Sequence, residues 1–533
     1  MDFKREFIPY NQTGYFSKIV TDYLSHNNLL EGFYQHQPDL PGVKDAISLR
    51  KDFNTNRQLL LEQLQNQYLN IQTSDLVKNN IIALQSENTF TVCTAHQPNI
   101  FTGHLYFIYK IIHVIKIAET LNKELPENKF VPVFYMGSED ADIKELGEIF
   151  INGENYNWDT KQTGAVGRML VDDELLLIIK KIKGQIVIES FGKEIIELIE
   201  TCYVKGRTIQ DACFYLVNEL FSNYGLIVLQ PDNAAFKKQM STVFQEDIFS
   251  HIPYEIVNAT TEKLSKNYSI QAQPREINLF YLKDNIRERI VLQNSKFKIL
   301  NTKLEFTEDE LKTELINYPE RFSPNVILRA LYQETILPNI LFVGGGGELA
   351  YWLELRDMFQ HYKVPYPVLV LRNSFLLVNG KTGALIRKLS LYKSDIFKSE
   401  EEQIKSLVNN KSIHQLSLQK QKQQIELIYN EINSAAKEID TTLIKHVEAL
   451  HSQHLNKLEK LERKFLKAEK KRFESEKNQI HKISSNLFPG NNLQERVENF
   501  IPFYAKWGKE FINILYDNSL VFEQEFCVIK ASE

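Results

Sequence analysis

The stretch Ile340 to Leu355, ILFVGGGGELAYWLEL, constrains the fold of this chain more than any other. Apolar residues suited to a buried strand run into four glycines, then Glu348, then a segment of helix formers. Strand, glycine loop and helix in that order make a βα unit, and the chain repeats it. Residues 88–121, NTFTVCTAHQPNIFTGHLYFIYKIIHVIKIAETL, pass from a β-rich run through a polar loop into a long amphipathic helix. The runs FVPVFYM (130–136), GLIVLQPD (225–232) and PYPVLVLRNS (365–374) also end in polar loops, with helical sequence between several of them. Such alternation predicts an α/β fold with a doubly wound, mostly parallel sheet. Ligands bind such sheets beyond the carboxyl ends of the strands.

At 533 residues the chain has room for two or three units of about 100–200 residues each. Residues 1–400 are expected to form the sheet-based core, with insertions at about 160–205 and 250–330 that cap it. In the second insertion INLFYLKDNIRERIVLQ reads as a hairpin turning at Asp284 and Asn285. Residues 401–488 change character. From 417 to 485 there is no Gly or Pro, and apolar residues step by three and four at Ile425, Ile428, Ile432, Ala435 and Ile439. This spacing predicts an α-helical coiled coil of antiparallel arms or paired long helices. Between Lys457 and Lys482 ten Lys or Arg face five Glu, a pattern more usual for a solvated helix face than for a nucleic-acid arm. Residues 489–533 are expected to be helical and to pack back on the core.

A net charge of -5 offers no global attraction to nucleic acid. No apolar run approaches the roughly 20 residues of a membrane span, and MDFKREFIPY lacks a signal-peptide core. A cytoplasmic location without membrane association is expected. Four scattered cysteines without a C-x-x-C pair suggest neither a disulfide framework nor a zinc site.

Three groups at strand ends can carry chemistry. The first is His96, Gln97, Asn99, Thr102, Gly103 and His104, where two histidines beside a helix start could hold phosphate oxygens. The second is Glu139, Asp140 and Asp142, with Glu145 a turn later. Crowded carboxylates can accept an amine, hold Mg²⁺ or act as a base, because mutual repulsion raises at least one pKa. Helix capping is the plainer account of them. The third is Gly344, Gly345, Gly346 and Gly347 with Glu348, Tyr351, Arg372 and Asn373. Glycines permit positive φ and close approach of backbone to ligand. Glu348 suits an ammonium group or a sugar hydroxyl, and Arg372 offers a forked donor for a carboxylate. No P-loop, G-x-G-x-x-G, H-E-x-x-H or G-x-S-x-G motif is present.

In chain order the segments HQPNIFTGHLYFIYKI, VPVFYMGSEDADIKEL, YGLIVLQPD, REINLFYL, PERFSPNVILRALYQETILPNILFVGGGGELAYWLEL, VPYPVLVLRNS and LQERVENFIPF resemble the bacillithiol-biosynthesis cysteine-adding enzyme family, BshC. The resemblance spans nearly the whole chain. It implies a Rossmann-like core with connecting-peptide insertions, a long coiled coil, and homodimerisation through that coil. It also implies a ligase that forms a carbon–nitrogen amide bond, joining L-cysteine to glucosaminyl malate in the last step of bacillithiol synthesis. Because an amide does not form spontaneously from a free carboxylate in water, activation is needed, with ATP as the expected cosubstrate and Mg²⁺ as its companion. On this reading Glu348, Glu139, Asp140 and His104 are the catalytic candidates. Gly344 to Gly347, Tyr351, Arg372, Asn373 and Asp142 face substrate, while His96, Gln97, Asn99, Thr102 and Gly103 face the nucleotide. The chain departs from the family pattern at Gly103–His104, where many members have Gly-Pro, at Ala141, where many have His, and at Gly345 to Glu348, where many have Gly-Pro-Gly-Glu. Two readings from other classes compete. One is a noncatalytic coiled-coil scaffold whose body binds a metabolite or nucleotide; the other is a class I-like nucleotidyltransferase acting on RNA.

Overall fold

In a computed structural model, residues 3–531 apart from 413 and 415 are described. The five apolar runs form one parallel sheet: β1 (Thr89–His96), β2 (Lys129–Met136), β3 (Ile227–Leu229), β4 (Asn339–Gly344) and β5 (Val368–Leu371). Their spatial order is β5-β4-β1-β2-β3. The chain builds outward from β1 in one direction and returns to build β4 and β5 in the other. The strand order therefore reverses between β1 and β4, opening a crevice at their carboxyl ends where doubly wound sheets bind ligands.

Helix α1 (Tyr106–Glu124) joins β1 to β2, and Phe107, Ile108, Ile111, Ile112, Val114, Ile115, Ile117 and Leu121 are all buried. Burying an aliphatic or phenyl side chain contributes about 1.5–3 kcal/mol, so this helix is held by packing on nearly every side. Helix α2 (Gly346–Leu353) follows the glycine loop. The hairpin Leu279–Lys283 and Ile286–Gln293 forms, with Asp284 at positive φ in its turn. It belongs to an antiparallel five-stranded sheet that reaches over the crevice. The 160–205 stretch instead supplies helices Asp173–Ile186 and Gly192–Cys202. The second of these docks on the C-terminal segment, where Phe191 N donates to Ala505 O at 2.7 Å.

The coiled coil consists of α3 (Gln419–Ile439) and α4 (Ile444–Lys470), antiparallel arms joined by a short turn that Asp440 caps, and α5 (Glu474–Leu487) leads back to the body. Ala436 and Val447 are the buried apolar residues of the arms, and Lys422 pairs with Glu462 at 2.6 Å. The closing segment is helical over Ile501–Trp507 and Glu510–Asp517, as expected, but Glu525–Ala531 is a strand. Its short apolar run, FCVI, buried throughout, suits a covered strand rather than a helix. It lies between Phe3–Pro9 and Phe375–Val378, a three-stranded sheet the chain enters directly from β5 through Arg372, Asn373 and Ser374. All four cysteines are buried and unpaired.

Candidate functional site

A cavity of about 440 Å³ opens where β1 and β4 end, and a neighbouring lobe of about 600 Å³ shares Gln97, Glu145, Phe280, Asn325, Gly347, Glu348 and Tyr351 with it. The first lobe is also lined by His96, Asp140, Gly345, Gly346 and Arg372. The structure thus brings ten residues together from all three strand-end groups.

Glu348 sits in the first turn of α2 and accepts the Gly345 N–H at 2.8 Å. The same oxygen accepts from the Lys110 ammonium at 2.6 Å. Lys110, on α1, is 2% exposed and also donates to the Ala95 carbonyl. Burial lowers the Lys110 pKa, and Glu348 opposes that fall. Glu348 is therefore already paired with a cation of this chain, and a substrate ammonium would meet it only through its remaining lone pairs. The glycines work by size rather than by unusual φ, since none of Gly344 to Gly347 has positive φ. A Cβ on Gly344 would come within 2.9 Å of the Phe342 ring, and Gly344 itself does not line the cavity. Gly345, Gly346 and Gly347 leave the start of α2 uncovered, so first-turn N–H groups face the cavity without side chains in the way.

The acidic cluster divides. Asp140 lies in the cavity between Arg287 Nη1 at 3.7 Å and Arg329 Nη1 at 3.9 Å, and accepts from Gln97 Nε2 at 3.3 Å. Burial raises its pKa, but the two arginines outweigh that and hold it below the usual carboxylate range. Asp140 is an anchor for arginine rather than a base. Glu139 points away from the cavity into a buried network, where Lys237 bridges it to Asp232 and Arg168 grips Asp232 with two bonds at 2.7 and 2.8 Å. Its expected place at the substrate is corrected, because the turn after β2 carries it into the interior, where Lys237 takes it. Asp142 is exposed and caps the short helix Ile143–Leu146 through the Glu145 N–H at 3.2 Å, so capping accounts for it. Glu145 lines both lobes, and burial together with Asp140 and Asp142 raises its pKa. Its carboxylate makes no hydrogen bond or ion pair among the described residues, so it is the free carboxylate of this cluster.

Arg372 lies beside the glycine loop at the cavity wall, 2% exposed, with Nη2 on Glu495 Oε1 at 2.7 Å and Nη1 on Ser374 Oγ at 3.1 Å. Its Nε is buried without a partner, and a Cβ on Gly345 would lie 3.6 Å from it. Asn373 points the other way, its Oδ1 accepting from Leu520 N at 2.7 Å and its backbone N–H donating to His113 Nδ1 at 3.1 Å. It ties the sheet to the C-terminal segment and does not reach the cavity.

The 96–104 loop also divides. His96 and Gln97 face the cavity. His96 Nε2 stands 3.3 Å from Tyr106 Oη, and burial, helped by the Lys110 charge, lowers its pKa to about 3. It is neutral, which does not fit a cationic grip on phosphate. Asn99, Thr102, Gly103 and His104 stand outside the cavity lining. Phe101, Thr102 and Gly103 all take positive φ, a sharp reversal in which a Cβ on Gly103 would strike Asn99 at 2.9 Å. The reversal turns His104 toward the Val497 carbonyl at 3.1 Å, and Asn499 Nδ2 donates to the Phe101 and Gly103 carbonyls. These four residues build the loop and do not cradle a nucleotide.

The strongest features of the site went unread in the sequence. Arg287 and Arg329 reach the cavity from the antiparallel sheet and from helix Val326–Ile336. Arg287 is held by Ser323 Oγ at 3.2 Å and by the Phe280 ring, and burial plus the nearby Arg329 charge lowers its pKa to about 10. With Glu348 matched by Lys110 and Arg372 by Glu495, three arginines, Arg287, Arg329 and Arg496, remain against Asp140 and Glu145. The cavity suits an anion that carries an amine or hydroxyls nearby. No three His, Cys, Asp or Glu side chains among the described residues gather as a metal site. No helix there is long and apolar enough to cross a membrane.

A parallel Rossmann-like sheet with an arginine-lined crevice at its switch point, carrying a coiled coil, defines a small-molecule enzyme of the Rossmann-like class. Residues 3–373 match the model described as "Bacillithiol biosynthesis BshC, N-terminal Rossmann-like domain", and residues 375–531 that of its "C-terminal coiled-coil domain". The chain belongs to the BshC family. It is 37% identical over 526 residues to "Putative cysteine ligase BshC" of Flavobacterium johnsoniae, covering 98% of this chain and 99% of that one. The namesake of Flavobacterium psychrophilum matches with the same identity and coverage. That of Cytophaga hutchinsonii is 35% identical over 94% of both chains.

Proposed function

We propose that this protein is a ligase joining the carboxyl group of L-cysteine to the amine of glucosaminyl malate, the last step of bacillithiol synthesis. The observation that carries the reading is the Arg287–Asp140–Arg329 cluster on the cavity wall, two guanidiniums against one carboxylate, which leaves positive charge to meet the carboxylates of a malyl group. Glu145, uncommitted and with a raised pKa, stands at the junction of the two lobes. It takes the proton from the sugar ammonium, so that the nitrogen lone pair can attack the cysteine carbonyl carbon. First-turn N–H groups of α2 face the oxygen on which charge develops, and the Lys110–Glu348 pair fixes that turn against β1.

ATP, when bound, supplies the phosphoryl or adenylyl group that converts the carboxylate oxygen of cysteine into a leaving group. The residues that fit its phosphates are the arginines and the start of α2, not the 99–104 reversal. The name of the relatives, cysteine ligase, supports the cysteine half of this reading. A cytoplasmic homodimer is part of the same reading, with the exposed Leu427, Ile428 and Ile432 of α3 as its contact stripe. Purified protein incubated with cysteine, glucosaminyl malate and Mg-ATP is expected to yield bacillithiol, detected as its thiol adduct by mass spectrometry. No product from folded protein across nucleotides and divalent metals would refute the assignment. An unchanged thiol pool in a deletion strain would favour the scaffold reading.

A further inference from the structure

The segment Leu493–Phe500, LQERVENF, follows the coiled coil, yet it is bonded to the sheet-based body along its length. Gln494 Oε1 accepts from Leu377 N at 2.9 Å, Leu105 N donates to Glu498 O at 2.8 Å, and Asn499 N donates to Phe150 O at 3.2 Å. The His104 ring meets Val497 O, and Asn499 Nδ2 closes the 101–103 reversal. So many backbone bonds would be unnecessary if the segment were only a return path from the coil.

Two adjacent side chains of this segment act at the cavity. Glu495 is fully buried and commits one oxygen to both Arg372 and Ser374. Arg496 lines the cavity itself. Its guanidinium makes no hydrogen bond or ion pair among the described residues; partial burial and then the Arg372 charge lower its pKa, and Glu495 opposes the fall. Arg372 takes one oxygen of Glu495, and the other, Oε2, is buried without a partner. The two guanidiniums thus share one cavity wall with a single carboxylate between them, which offsets their repulsion only in part until an anion enters. The buried, unpartnered Nε of Arg372 faces the same space.

We propose that Arg496 is a ligand-contacting residue that, with Arg372, binds an oxyanion of the substrate in the cavity, so that the unit carrying the coiled coil completes a site otherwise built by the Rossmann-like unit. The inference rests on the cavity being the substrate site, not on the identity of the reaction. A carboxylate or a phosphate would satisfy the same fork.

The test is isothermal titration of the full-length protein with L-malate in one arm and with ATP in the other, comparing the parent with Arg496→Gln and Arg496→Lys. We expect Arg496→Gln to weaken one of the two ligands by roughly tenfold or more, as loss of a charge-assisted bond does, with Arg496→Lys intermediate. A loss in the malate arm identifies a carboxylate, and a loss in the ATP arm identifies a phosphate. Arg463→Gln, on the coil and away from the cavity, controls for net charge, and thermal melting confirms that each variant folds. Unchanged affinity for both ligands in Arg496→Gln, an equal loss in Arg463→Gln, or no binding of either ligand to the parent overturns the proposal. Binding without turnover would instead refute the ligase assignment alone.

Discussion

Replacing Glu348 by Gln isolates the Lys110–Glu348 pair, because the amide keeps the size of the side chain and can still accept the Gly345 N–H. Removing one partner of a buried ion pair costs about 3–5 kcal/mol. Here the lysine is 2% exposed but the glutamate 24%, which together with the retained acceptor reduces the expected loss to about 2–3 kcal/mol at neutral pH. The pH dependence carries the sharper test. Burial holds the folded Lys110 pKa below its ordinary 10.5, so between those values the unfolded chain binds more protons and stability rises with pH. Without Glu348 the folded pKa falls further, and the window opens nearer neutrality. The variant should therefore recover part of its deficit as pH is raised from 7 to 10. Urea unfolding followed by tryptophan fluorescence at both pH values measures this. Equal stability at pH 7, or a deficit that does not shrink by pH 10, would show that the pair is not the buried charge pair described. Turnover should fall more than about tenfold, since α2 loses its anchor to α1.

Glu145→Gln should lower kcat by about 10²–10⁴ while leaving binding of glucosaminyl malate in place. The parent's rate should rise with pH as Glu145 ionises, and pH–rate profiles should lose that limb in the variant. Burial pushes the Asp247 carboxyl up to about 7 against the opposing hydrogen bonds of Asn278. The folded state therefore retains a proton that the unfolded chain releases from about 4 upward, and stability falls as pH rises toward 7. Asp247→Asn should flatten that slope in urea midpoints compared at pH 5 and pH 8. Ile428→Glu with Ile432→Glu should convert a dimer to a monomer in sedimentation velocity; a parent that sediments as a monomer would refute the coil as a self-association surface.

All five core strands could be read from the sequence: four are apolar runs of the kind a strand buried on both faces leaves, and the fifth, TFTVCTAH, is marked by its β-branched residues. The coiled coil was readable from its apolar steps of three and four, but the choice between antiparallel arms and paired long helices is made by the turn that Asp440 caps. Direction at strand ends was not readable. Glu139 and Asp140 are neighbours, as are Arg372 and Asn373, and in each pair one residue faces the cavity while the other is buried elsewhere. The arginine wall was missed because surface arginines are common and Arg287 lies far along the chain from the strands it serves. A faint signal was available: Arg287 and Arg289 share one face of a strand whose other face carries Ile290. Lys110 left a clearer one, as a lysine inside FIYKIIHVIKI sits where a solvated residue would not.

The sheet that joins Phe3–Pro9 to Glu525–Ala531 has a consequence for biosynthesis. Its first strand pairs Phe3 with Ala531 and Pro9 with Glu525, so it has no native partner until almost the whole chain has been made. At about 5–20 residues per second, roughly half a minute to two minutes separates the two strands. During that interval REFIP waits without its partner strand, and its Arg5 and Glu6 are charges that discourage premature pairing. Chaperone dependence should concentrate in the time before Glu525–Ala531 emerges to pair with that segment.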